Sequence, residues 1–214
     1  HLGRCYLNVF YIDGNDEHRY YLEDLGSSYR GLDNLLDNIP NVVYMQDNVV
    51  IINGVAILAT NGWYSFDMDK ALDYNQSQAW MCDRYGVIPS TADSIASLAF
   101  NDATYMINSV RKLQTHQDVR SIVCVTHTVP RYDIISHDMD LEGTYRLNTL
   151  GNSHMLVALD EDTEQKIKVW CFGHYHRPVD TMIDGVRYVS NPRGRGDTPY
   201  SQIAYYPKRI SVKI

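Results

Sequence analysis

The sequence predicts a single α/β domain, on three observations. Short apolar runs of strand length outnumber helical stretches, and one long amphipathic stretch lies near the middle of the chain. No internal repeat or low-complexity linker divides it, and 214 residues leave room for one substantial core and little more.

Residues 7–12 are apolar and β-prone, and they break at Asp13-Gly14-Asn15-Asp16. Residues 20–38 read as loop and helix, with Leu32, Leu35 and Leu36 as the buried stripe. Three short strands are expected over 42–44, 49–52 and 55–59. Asp47-Asn48 and Asn53-Gly54 separate them, the second being the stronger hairpin signal. The stretch 64–94 carries no readable pattern. The best helix spans 93–113, where Ile95, Leu98, Ala99, Met106, Ile107, Val110 and Leu113 keep to one face. Residues 122–125 and 168–172 are buried-type strands. Asp184-Gly185 turns the chain between strands over 179–183 and 186–189, and strands over 203–206 and 210–214 complete it.

A formal net charge of -7 gives no basis for broad attraction to nucleic acid or anionic membrane, and leaves a specific nucleic-acid partner open. A phosphate-bearing substrate then requires local cations. Cys5, Cys82, Cys124 and Cys171 are scattered without a Cys-x-x-Cys pair, the pattern of reduced thiols in a cytoplasmic protein. No apolar run has the length of a membrane span, and no secretory signal opens the chain. The start at His1, almost directly before a strand, predicts an absent opening segment.

Three polar clusters share one design, in which an apolar strand stops and His or Asn follows. They are Asn15 after residues 7–12, His127 after 122–125, and His174 with His176 after 168–172. Strand ends on one edge of a sheet bring such residues together. Imidazole nitrogen suits Zn, Mn or Fe, and an Asn carbonyl oxygen completes a mixed N/O shell. On an extended segment, His-x-His places both imidazoles on one face.

In these stretches the chain resembles the calcineurin-like metallophosphoesterase family. That family carries, in order, Asp-x-His, Gly-Asp-x-x-Asp, Gly-Asn-His-Asp/Glu, a His after a strand, and Gly-His-x-His. Gly14-Asn15-Asp16-Glu17 resembles the third, Val125-Thr126-His127 the fourth and Gly173-His174-Tyr175-His176 the fifth. Asn61-Gly62-Trp63-Tyr64-Ser65-Phe66 and Val189-Ser190-Asn191-Pro192-Arg193-Gly194 are similar to two further stretches of one branch. The resemblance implies a sandwich of two mixed β-sheets flanked by helices, and hydrolysis of a phosphate monoester or diester. It implies two divalent or trivalent metal ions (Mn, Fe, Zn or Ni), with Asn15, His127 and His174 on one and His176 on the other. Arg193 is a candidate phosphate contact through its planar fork.

Two departures qualify the likeness. Asp-x-His and Gly-Asp-x-x-Asp are absent upstream of Gly14, so His176 is the sole candidate ligand for the first metal. A dinuclear site then needs a missing N-terminal segment, attached or carried by a separate chain, and residues 1–214 form one incomplete domain. Asp16 stands where the family has a histidine that serves the leaving oxygen, a role worth roughly 10²–10⁴-fold. Neighbouring cations favour the carboxylate and so oppose an acid role for Asp16; His18 is the substitute candidate. The alternative is a catalytically degenerate binding or assembly module.

Overall fold

The computed structural model describes residues 4–22, 24–86, 88–193 and 206–212. In chain order its elements are β1 (Val9–Tyr11), α1 (Leu25–Asp37), β2 (Val42–Tyr44), β3 (Asn48–Ile52), β4 (Val55–Ala59), α2 (Tyr74–Tyr85) and α3 (Pro89–Gln114). There follow β5 (Ser121–Val125), α4 (Val157–Asp160), β6 (Ile167–Cys171), β7 (Val179–Ile183) and β8 (Val186–Ser190). Six strands form one mixed sheet in the order β3-β4-β5-β6-β8-β7. The inner four run parallel, and β3 and β7 close the edges as antiparallel partners of β4 and β8. β1 and β2 make a separate parallel pair. Of the two mixed sheets expected, the described residues contain one; the other layer is this two-stranded pair.

Both edge hairpins follow from turn chemistry. Asn53-Gly54 and Asp184-Gly185 take positive φ at both positions (50° and 84°; 50° and 81°), as a two-residue turn matched to strand twist requires. α3 joins two apolar clusters. Ala92, Ile95 and Ala99 pack on Trp63, Tyr64, Phe66 and α2's Met81, whereas Ala103, Met106, Val110 and Leu113 cover Ala56, Leu58, Ile122 and Cys124 of the sheet. Lys166 Nζ holds the C-terminal end of α3, donating to the carbonyls of Leu113 (3.0 Å) and Gln114 (2.7 Å). On the opposite face of the sheet Ile57, Val123, Val125 and Cys171 stay partly exposed.

Some sequence expectations need correction. In α1 the inner stripe is Ser28, Leu32 and Leu36, spaced i, i+4, i+8, so Leu35 falls outside it and is exposed. α2 was missed because its polar residues mask any period; its signals are caps, with Asp73 Oδ1 accepting from the Gln76 N–H (2.8 Å) and left-handed Gly86 at the end. Residues 206–212 carry no strand, and residues 203–205 and 213–214 lie outside the described residues. All four cysteines are free. Among the described residues, no helix is long and apolar enough to cross a membrane.

Candidate metal centre

Parallel strands deliver their C-terminal ends to one edge, which is where open α/β sheets bind ligands. β5 ends into Thr126-His127 and its neighbour β6 into Phe172-Gly173-His174. The backbones stay tied beyond the strands: the Gly173 N–H donates to the His127 carbonyl (2.8 Å) and the His127 N–H to the Asn61 carbonyl (2.8 Å). β1 brings in Asn15 from the other layer. Gly14 lets this loop come close, since a Cβ there would lie 2.5–2.8 Å from three atoms of the His127 ring. Glu17 steadies the loop, its Oε2 accepting from the Gly14 N–H (2.9 Å).

The result is a convergence of three donors. His127 Nε2 is 2.9 Å from Asn15 Oδ1 and 3.1 Å from His174 Nδ1. His174 Nε2 lies 2.9 Å from the Thr149 carbonyl, which can only accept, so Nε2 carries the hydrogen and Nδ1 presents a lone pair. Tyr64 stacks on the His174 ring at 5.7 Å and 15°. Burial, then the charge of His176 and of His18, pushes His127 down to about 4. Burial, then the neighbouring His127, pushes His174 down to about 3. Both imidazoles are therefore neutral near pH 7, the state a ligand needs. One His127 hydrogen is shared between two acceptors; a cation in its place would meet all three lone pairs. The donor set therefore fits a transition metal. Among the described residues, no group of three or more His, Cys, Asp or Glu is arranged to hold a metal, and the third donor here is the asparagine oxygen.

His176 lies close enough to depress both neighbours electrostatically. The reason given for its placement needs correction, however. His174 and His176 both have left-handed backbones (φ 58° and 59°), so the segment is coiled rather than extended. Tyr175 between them is buried and donates to Asp138 Oδ2 (2.8 Å), and Arg177 pairs with the same carboxylate (2.9 Å). This anchor, rather than strand alternation, orients the histidines.

The remaining candidates separate. Asp16 is exposed, near Asn15 (Nδ2 to Oδ1, 3.4 Å), and its charge acts on both His174 and Tyr64. His18 is fully buried, with Nε2 on Asp13 Oδ2 (2.6 Å) and Nδ1 on Ser28 Oγ (2.9 Å), beneath Tyr29 and Trp63. It props the loop from inside, and both its nitrogens are occupied away from the cleft. Arg193 is exposed, just before the residues left undescribed.

Sequence reasoning gave no site role to Asp13, Asn61, Tyr64, Thr149 or Asp102. Asp13 falls at the break after the first strand, Asn61 and Tyr64 appear only within a stretch similar to one branch of the family, and the Thr149 carbonyl has no side-chain signal at all. Asp102 lies inside α3, accepting from the N–H groups of Gly62 (2.7 Å) and Trp63 (3.1 Å) and from Gln46 (3.2 Å). Burial, then the charge of Asp47, pushes its carboxyl up to about 7. Because that lies above the unfolded value of about 3.9, its contribution to stability is full below the unfolded value and is lost as pH rises through about 7. Asp102→Asn keeps an oxygen for the two backbone donors. Relative to the wild type, it is expected to gain stability between pH 5 and pH 8 in urea unfolding; a constant difference across that window would contradict this.

No protein-family model matches the chain, and no curated protein matches it. Among solved structures, the phosphopantetheinyl hydrolase PptH from Mycobacterium tuberculosis is similar, with a TM-score of 0.57 and 19% identity over 87% of this chain and 70% of that one. A candidate 5'-nucleotidase from Staphylococcus aureus, solved with alpha-ketoglutarate, aligns at a TM-score of 0.40 and 17% identity over 90% of this chain and 34% of that one, too distant to carry an argument. The chain thus shares, at low sequence identity, the fold of the phosphopantetheinyl hydrolase, and the likeness is one of fold alone.

Proposed function

We propose that the chain belongs to a metal-dependent phosphoester hydrolase, with Asn15, His127 and His174 holding one metal ion and His176 serving a second. The observation that carries this is the approach of Asn15 Oδ1 and His174 Nδ1 to one nitrogen of His127, at 2.9 and 3.1 Å. When bound, metal at such a site acidifies a water toward a pKa of about 7 and offsets phosphoryl charge. The protein's part is to present neutral imidazoles in fixed tautomers. The Thr149 carbonyl and the Tyr64 ring do this for His174. The exposed Arg193 is assigned to a substrate phosphate.

Ligands beyond His176 for the second ion are assigned to a further segment or a separate chain, for which the partly exposed face of Ile57, Val123 and Val125 offers apolar cover. The free, scattered thiols fit a cytoplasmic setting.

Asp16 shapes the substrate preference. It is an exposed carboxylate where the family resemblance expects a histidine acid for the leaving oxygen. Good leaving groups need little such help, so diesters and activated esters are favoured. A binding or assembly module is the second reading, on the strength of Asp16 and of the three-donor rather than carboxylate-rich centre. Turnover of bis(p-nitrophenyl) phosphate and p-nitrophenyl phosphate with Mn²⁺ and with chelator separates them. The expected result is Mn²⁺-dependent cleavage that favours the diester. Metal uptake without cleavage supports the module, and a strong monoester preference removes the role given to Asp16.

A further inference from the structure

The two loops that carry Asn15 and His127 belong to different layers, and one buried residue bonds to both, through its side chain to the first and its main chain to the second. Asn61, fully buried after β4, donates through Nδ2 to Asp13 Oδ2 (2.7 Å) and to the Asp13 carbonyl (3.3 Å). Its main-chain carbonyl accepts the His127 N–H (2.8 Å). Asp13 lies two residues before Asn15 and is itself held by His18 (2.6 Å) and Tyr44 (2.9 Å). The amide cannot turn over, because its oxygen would then face the Asp13 carboxylate. In this orientation Asn61 Oδ1 is buried without a partner among the described residues. A buried acceptor left unpaired is costly, which places the value of this asparagine in its Nδ2 bonds.

We infer that Asn61 and Asp13 form a positioning pair that sets Asn15 Oδ1 against His127 Nε2, an inference that rests on the metal reading above. Neither residue touches metal or substrate; they fix the distance between two residues that do. The pair acts through Asn15, so its effect depends on Asn15 being present. A residue that merely supports the fold shows no such dependence.

The test is a double-mutant cycle with Co²⁺ alone as the probe, titrated into the full chain and followed by its visible absorption. Asn61→Ala is expected to weaken Co²⁺ binding by roughly 10–100-fold in the wild-type background. In an Asn15→Ala background it is expected to cost less than about three-fold. Equal losses in both backgrounds, or no loss in the first, overturn the positioning role while leaving the metal reading intact. Asp13→Asn repeats the cycle should Asn61→Ala fold poorly. The metal-free protein gives a separate readout. The imidazole ¹⁵N signals of His127 are expected to move in Asn61→Ala as they do in Asn15→Ala, and unmoved signals overturn the inference. Absence of Co²⁺ uptake by the wild type removes the metal reading itself, and those signals then decide the positioning claim alone.

Discussion

Removal of the His174 imidazole is expected to weaken transition-metal binding by more than the roughly 10–100-fold that loss of an outer partner costs. The ring supplies the lone pair at Nδ1, receives the stacking of Tyr64 and spends its second nitrogen on Thr149. No other described residue stands at that point. Two variants separate ligation from backbone strain, because position 174 is left-handed at φ 58°. His174→Ala keeps a Cβ in that region without the imidazole, whereas His174→Gly removes the ring and that Cβ together. Equal loss of Mn²⁺ affinity in both, by calorimetry, is the expected outcome. Retention of affinity in His174→Gly would mean that the ring is not a ligand.

Gly14→Ala is expected to damage both stability and site. Its Cβ would stand 2.5, 2.6 and 2.8 Å from Cε1, Nδ1 and Nε2 of His127, distances that packed atoms do not hold. The backbone of His127 is tied to Asn61, so the ring must swing or the Asn15 loop must lift. Either movement parts Asn15 Oδ1 from His127 Nε2. Overpacking of this kind costs about 1–3 kcal/mol, and each kcal/mol lowers Tm by roughly 2–4 °C at this size. Reduced Tm together with weakened metal binding is expected from differential scanning fluorimetry and metal titration. An unchanged Tm would show that the two loops are not in contact in solution.

The strands were legible because their residues repeat simple patterns. Ile57, Leu58, Val123 and Cys124 lie in short apolar runs, and Asn53-Gly54 and Asp184-Gly185 mark their turns without tertiary help. Asn15, His127 and His174 were legible as a group because each follows a strand end, and parallel strands gather such ends at one edge. What holds those residues was not. Asn61 and Asp13 meet across 48 positions, Tyr175 and Asp138 across 37, and Thr149 contributes a carbonyl that any residue carries. His18 looked like a reacting histidine because sequence proximity to Asp16 says nothing of direction; its side chain turns inward to Asp13 and Ser28. The coiled path at His174 and His176 was hidden for a related reason. It depends on the burial of Tyr175 against a distant carboxylate rather than on local propensity.

The most direct test is to locate the metal. A Mn²⁺-soaked crystal of the wild-type chain, measured for anomalous scattering, is expected to show a peak within bonding distance of Asn15 Oδ1, His127 Nε2 and His174 Nδ1. A protein with those three atoms still bonded to one another and the manganese elsewhere, or absent, would contradict the account.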